Sequence, residues 1–249
     1  MPFTDIATGA RLYYDDLGAS ASHETVIAVH GRLGTAQVDL ANVLEWLSQS
    51  YRVLGPSLRG YGESTPKPRD FPPDFYHRDA RDLIAFMDAL DIEKAHLLGY
   101  SDGGETALVA AGLAPDRFKS VAVWGAVGYF GPEMRPVAQS NYPATWMDEA
   151  TKQLHGITDA NAIILQWVRA ITHMIDRGGD VSLSLAPKIT APVLLMLGEQ
   201  DRLNPQAYGQ KLGDQLPNGR LVMFKTGHAI HHEDFAAFQR VVGEFLRSS

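Results

Sequence analysis

The chain has 249 residues, with 22 Lys+Arg against 29 Asp+Glu and a formal charge of −7. At 45% apolar and 20% charged residues it has the composition of a folded globular protein, and its acidic balance lacks the basic footprint of a nucleic-acid binder. The absence of cysteine excludes a disulfide framework, a thiolate metal site and a cysteine nucleophile.

In chain order, residues 11–15 alternate like an edge strand, and residues 25–30 are a continuous β-branched run, the mark of a strand buried on both faces. Residues 36–49 carry apolar positions at mixed three and four spacing and predict a helix, followed by a second buried strand at 51–54. Ala80, Leu83, Ile84, Met87 and Leu90 place one apolar face on a helix over 75–90. A strand at 95–98, a helix at 102–113 and a strand at 119–124 continue the rhythm. It breaks from about 128 to 187 into helix-like segments, then resumes with a strand at 193–197. A helix near 205–215, a strand at 220–224 and a helix at 234–247 complete the chain. This alternation predicts an α/β fold with a mostly parallel central sheet flanked by helices. The expected organisation is one core, residues 1–127 and 188–249, with a helical lid inserted at 128–187. The proline-bearing stretch 66–73 reads as a stiff surface connector. No apolar run reaches the ~18 residues of a membrane span. The N-terminus lacks a basic segment followed by an apolar one, so a cytoplasmic location without membrane contact is expected.

Gly99-Tyr100-Ser101-Asp102-Gly103 is a G-x-S-x-G pentapeptide between a predicted strand and a predicted helix. That context is the one a nucleophile elbow requires. A serine hydroxyl needs a base to remove its proton and a carboxylate to orient the base. Two later predicted strands end in suitable loops. Gly198-Glu199-Gln200-Asp201 supplies the acid, with Glu199, Asp176 and Asp180 as alternatives to Asp201, and Gly227-His228 supplies the base. His231 and His232 follow as polar residues opening the last helix; the cluster has no HExxH or facial-triad spacing, so no metal is expected. The strand at 25–30 runs into His30-Gly31-Arg32-Leu33-Gly34. Its backbone, at Arg32 or at the neighbouring Leu33, would join the amide of Asp102 as an oxyanion hole. Tyr129, Phe130, Trp146 and Trp167 are the candidates to line an acyl pocket.

These motifs, with Arg59-Gly60-Tyr61-Gly62-Glu63-Ser64, make the chain resemble the α/β-hydrolase superfamily over essentially its whole length. The order Ser101, Asp201, His228 is the nucleophile–acid–base order of that superfamily. Within it, Arg69-Asp70-Phe71-Pro72, the Ser-Asp-Gly-Gly elbow and Val123-Trp124-Gly125-Ala126 are similar to the valacyclovir hydrolase, or biphenyl hydrolase-like, subfamily. The resemblance implies a lidded, cofactor-free hydrolase of small-molecule carboxylic esters. It also implies that Asp102 holds the α-amino group of an amino-acid ester; a helix-dipole role is the alternative reading of that carboxylate. Arg32 stands where the subfamily carries an uncharged residue, and its cation would either neutralise Asp102 or favour an acidic substrate. Ser57 stands where these hydrolases usually carry an aspartate. Lactonases, meta-cleavage carbon–carbon hydrolases and cofactor-free haloperoxidases share the triad, and receptor-like or scaffold members share the fold. The sequence leaves the oligomeric state open.

Overall fold

A computed structural model describes residues 2–18 and 24–249. Among these described residues, eight strands form one sheet: β1 (Phe3–Asp5), β2 (Arg11–Leu17), β3 (Thr25–Val29), β4 (Arg52–Pro56), β5 (Ala95–Tyr100), β6 (Phe118–Trp124), β7 (Val193–Gly198) and β8 (Gly219–Phe224). Their spatial order is β1-β2-β4-β3-β5-β6-β7-β8. The first two strands are antiparallel to their neighbours, and every pairing from β4 to β8 is parallel. The short β1 carries no alternation long enough to be legible in the sequence.

The helices are α1 (Ala36–Asp39), α2 (Ala41–Leu47), α3 (Phe75–Ala89), α4 (Asp102–Leu113), α5 (Met134–Gln139), α6 (Glu149–His155), α7 (Ala160–Asp176), α8 (Gln206–Gly213), α9 (Ile230–Glu233) and α10 (Phe235–Arg247). The single helix predicted over 36–49 is two, because Leu40 leaves helical geometry at φ −123°, ψ 11°.

Alternate residues of the parallel strands feed two cores. Ile27, Val29, Leu97, Val121, Val123 and Leu195 face α3, α4 and the helices between β6 and β7. Val26, Ala28, Leu98, Ala122, Leu194 and Met196 face α1, α2 and α10. That two-sided burial is why these strands read as unbroken apolar runs.

The segment between β6 and β7 holds α5, α6 and α7. It shares the first core through Met134, Ile164, Trp167 and Ile171. His155 at the end of α6 pins it to the sheet side: Gly62 N–H donates to Nδ1 (2.9 Å), and Nε2–H donates to Leu33 O (2.9 Å). The proline connector is less superficial than its composition predicts. Arg69 is buried against Asp79 (Nη1–Oδ1 3.0 Å) and Phe71 enters the core, because the cation finds its counter-charge inside. Among the described residues, no helix is long and apolar enough to cross a membrane.

Candidate active site

Strand β5 ends at Tyr100 and α4 begins at Asp102, so Ser101 alone makes the turn, at φ 54°, ψ −122°. A non-glycine residue in that region costs about 1–3 kcal/mol and persists only where its surroundings enforce it. Here they do. A Cβ at Gly99 would meet Gly103 O at 2.5 Å, and one at Gly103 would collide with the carbonyls of Val29 and His30. The two glycines therefore let strand and helix close tightly behind the serine, leaving its hydroxyl forward at a helix N-terminus.

Three distant segments converge on that hydroxyl. Ser101 Oγ–H donates to His228 Nε2 (2.9 Å), and His228 Nδ1–H donates to Asp201 Oδ2 (2.7 Å). The carboxylate can only accept, which sets the tautomer of the imidazole. Asp201 is itself held by Leu203 N–H (2.8 Å) and Asn204 N–H (3.3 Å) on Oδ1, and by Asn204 Nδ2 on Oδ2 (3.1 Å). Burial pushes its carboxyl up, but the bonds from His228, Asn204 and Leu203 outweigh burial and hold it below the ordinary carboxylate range. The alternative acids are engaged elsewhere: Asp176 pairs with Arg135, and Asp180 accepts from Ser184 N–H (3.1 Å). Glu199 is exposed.

Two residues beyond the predicted set shape this cluster. Asn204 Nδ2 also donates to Gly125 O (3.0 Å), tying the Asp201 loop to the end of β6. Gly125 sits at φ +64°, and a Cβ there would lie 2.7 Å from His228 Cε1. Gly125→Ala should therefore displace the imidazole and lower kcat by about 10²-fold or more, with the folded structure retained by circular dichroism. The sequence signals were present: an asparagine three residues after the acid, and a glycine directly after a buried strand.

On the other side, Gly31-Arg32-Leu33-Gly34 forms a tight turn, with Leu33 at φ 59° and Gly34 N–H donating to Gly31 O (3.3 Å). Gly31 N–H is fixed by Asp39 Oδ2 (2.8 Å). His30 anchors the turn from below: Nδ1–H donates to Gly31 O (2.7 Å), and Nε2 accepts from Leu58 N–H (2.9 Å). Burial drives its pKa down to about 3, so the ring is neutral.

Between this turn and the helices of the β6–β7 segment lies a cavity with about 580 Å³ of empty space, open to solvent. Ser101 and His228 form part of its wall, with Phe130, Met134, Trp167 and Ile171 on the apolar side. Tyr129 and Trp146, both expected in the pocket, are not there. Tyr129 pairs with Asp180 in an isolated β-bridge, so it points away from its neighbour Phe130, and its ring packs on Tyr208 (5.1 Å) and Lys211 (3.4 Å). Trp146 is 49% exposed, on the loop before α6, with its indole N–H bonded to Asn141 O (2.9 Å).

The polar wall holds Arg32, Asp102, Tyr76, Asn141 and Glu105. Tyr76 O–H donates to Asp102 Oδ1 (2.8 Å). Burial raises the Asp102 carboxyl above its ordinary value, opposed by the Arg32 cation, the Tyr76 bond, the Arg69 cation and the Trp167 indole N–H. Glu105 accepts from Val127 N–H (2.8 Å) and Gly128 N–H (3.1 Å), and burial lifts it to about 7 against those bonds. His231 opens α9 as expected, with its ring packed on that of His232 (4.0 Å between centres), but its ring nitrogens are taken up inside the protein. It is fully buried, with Nδ1 accepting from Trp124 Nε1–H (2.9 Å) and Nε2–H donating to Asp39 O (2.9 Å), because α9 turns it under the sheet.

A model of the alpha/beta hydrolase fold matches residues 24–155, more than half of the chain, and the chain belongs to that family. Over 96% of its length it is 31% identical to the serine hydrolase BPHL of Mus musculus, covering 84% of that protein, so the expected likeness to the biphenyl hydrolase-like subfamily is found. It is also 29% identical, over 96% of its length and 91% of the relative, to 2-hydroxy-6-oxononadienedioate/2-hydroxy-6-oxononatrienedioate hydrolase of Cupriavidus pinatubonensis. Among solved structures, the 2-hydroxy-6-oxo-6-phenylhexa-2,4-dienoate hydrolase of a Rhodococcus species superposes with a TM-score of 0.78 at 21% identity, covering 99% of this chain and 98% of that one. That last likeness concerns the fold.

Proposed function

We propose that the protein is a serine hydrolase of small-molecule carboxylic esters, acting through an acyl-enzyme on Ser101. The observation that carries this reading is the unbroken hydrogen-bonded chain from Ser101 to His228 to Asp201 at the cavity wall. Ser101 Oγ attacks the ester carbonyl while its proton passes to His228 Nε2, and Asp201 stabilises the imidazolium that forms. The backbone N–H groups of Asp102, at the start of α4, and of Arg32, on the 31–34 turn, stabilise the oxyanion. The imidazolium returns the proton to the departing alkoxide. Water, deprotonated by the same imidazole, then adds to the acyl carbon, and the acid leaves as Ser101 regains its proton. The helices between β6 and β7 act as the lid over this chemistry, and Phe130 and Trp167 bound the acyl pocket. No cofactor takes part in these steps.

Asp102 is the proposed anchor for a substrate ammonium: its Oδ2 is buried in the cavity wall and completes no hydrogen bond of good geometry among the described residues, with only the Trp167 indole N–H nearby as a donor. Hydrolysis of p-nitrophenyl acetate and butyrate, with labelling of Ser101 by a fluorophosphonate, tests the reaction class; a protein that neither turns over nor labels would refute it. The anchor is tested by comparing α-amino esters with their desamino analogues. The wild-type preference for the amine should be about tenfold or more in kcat/KM and should collapse in Asp102→Asn. An unchanged ratio in that variant removes the role.

A further inference from the structure

Two opposite charges share the cavity wall without satisfying each other. Arg32 Nη1 and Asp102 Oδ2 are both buried, and neither completes a hydrogen bond of good geometry among the described residues, although the Trp167 indole N–H, which also completes none, is close enough to Asp102 to favour its charged form. The two groups feel one another electrostatically, yet they do not close an ion pair. Their surroundings explain why. Arg32 Nη2 is committed to Asn141 Oδ1 (2.7 Å), and the guanidinium carbon sits over the Trp167 ring, 3.8 Å from its centre, with the Trp146 ring at 5.7 Å. Asp102 is turned toward Tyr76 by the bond on its other oxygen. A guanidinium held by one hydrogen bond and an aromatic face has Nη1 left over as a donor. Buried charges of this kind are costly unless something pairs with them.

We propose that the substrate supplies both missing partners: its acyl group carries an ammonium, received by Asp102, and a free carboxylate, received by Arg32 Nη1. The substrates are therefore esters of acidic α-amino acids, aspartate or glutamate with one carboxyl esterified and the other free. The proposal rests on the serine hydrolase reading above and narrows its substrate class. A neutral residue at position 32 would leave the ammonium subsite alone; the arginine beside it adds a demand for an anion and disfavours acyl groups that cannot meet it.

The test compares the methyl esters of glutamate and aspartate with those of glutamine and asparagine, which match them in shape but carry a neutral carboxamide. Glutamate γ-methyl ester is compared in the same way with its α-carboxamide. In the wild type, at least one regioisomer with a free carboxylate should exceed its carboxamide by about 10- to 100-fold in kcat/KM, chiefly through KM. Arg32→Gln should bring that ratio close to one. Carboxamides turned over as well as carboxylates by the wild type would overturn the proposal, whether or not the variant folds. So would a preference that survives intact in folded Arg32→Gln. Calorimetry of the same ligands with Ser101→Ala separates this from the reading beneath it. Tighter binding of the carboxylate form without wild-type turnover keeps the Arg32 assignment and rejects the hydrolase. Turnover at Ser101 with no carboxylate preference does the reverse.

Discussion

Replacing Ser101 with alanine is expected to lower kcat for p-nitrophenyl butyrate by about 10⁴–10⁶-fold, with KM changed far less. The hydroxyl oxygen is the only heavy atom removed. The proposed oxyanion donors on the backbone of Asp102 and Arg32, the cavity wall and the His228–Asp201 bond all remain. What is lost is the covalent route, so the residual rate reflects water attacking an ester that is bound and polarised but not acylated. The substitution also relieves nothing in the backbone, since alanine at φ 54°, ψ −122° is as strained as serine. Thermal stability should therefore change little. Turnover retained at the wild-type level would take the nucleophile role away from Ser101.

Asp201→Asn should cost about 10⁴-fold in kcat while leaving the fold intact, a magnitude borrowed from the corresponding substitution in a serine protease. The direction follows from the bonds on the two carboxylate oxygens. Oδ1 accepts from the amides of Leu203 and Asn204, so an asparagine keeps its carbonyl there. Its NH₂ then faces His228 Nδ1, a position that now accepts from that ring nitrogen. The imidazole must move its proton to Nε2, where it opposes the Ser101 hydroxyl instead of receiving its proton. The same NH₂ meets Asn204 Nδ2, donor against donor. A modest loss of melting temperature should accompany the kinetic one. A kcat within tenfold of wild type would show that another group sets the tautomer.

The two substitutions differ in how far their targets were visible in the sequence. Ser101 lies in a pentapeptide whose glycines are demanded by contacts within a few residues of it, so a local pattern suffices to find it. Asp201 and His228 were legible because each follows a strand, buried β7 and the edge strand β8, and parallel pairing of those strands puts their carboxyl ends at one rim. The choice of Asp201 over Glu199, Asp176 or Asp180 was not settled by sequence; it needed the bond to His228. Asn204 escaped notice although its place in the turn after Asp201 is a local signal, since backbone and side-chain donors to an aspartate are common there. Gly125 escaped because its restriction comes from a ring 103 positions further along the chain.

Sequence by itself determined the mostly parallel sheet, its alternation with helices and the place of Ser101 in the strand-to-helix turn, because periodicity and strand-end turns act over short range. Tertiary structure decided the cavity. Phe130 and Trp167 enter it while Tyr129 and Trp146 do not, yet aromatic residues on an inserted helical segment look alike in one dimension whichever way they face. It also decided what surrounds Arg32. That the residue is a cation is plain from its letter, but whether the charge is paired depends on Asn141, Trp167 and Asp102, brought together only when the chain folds.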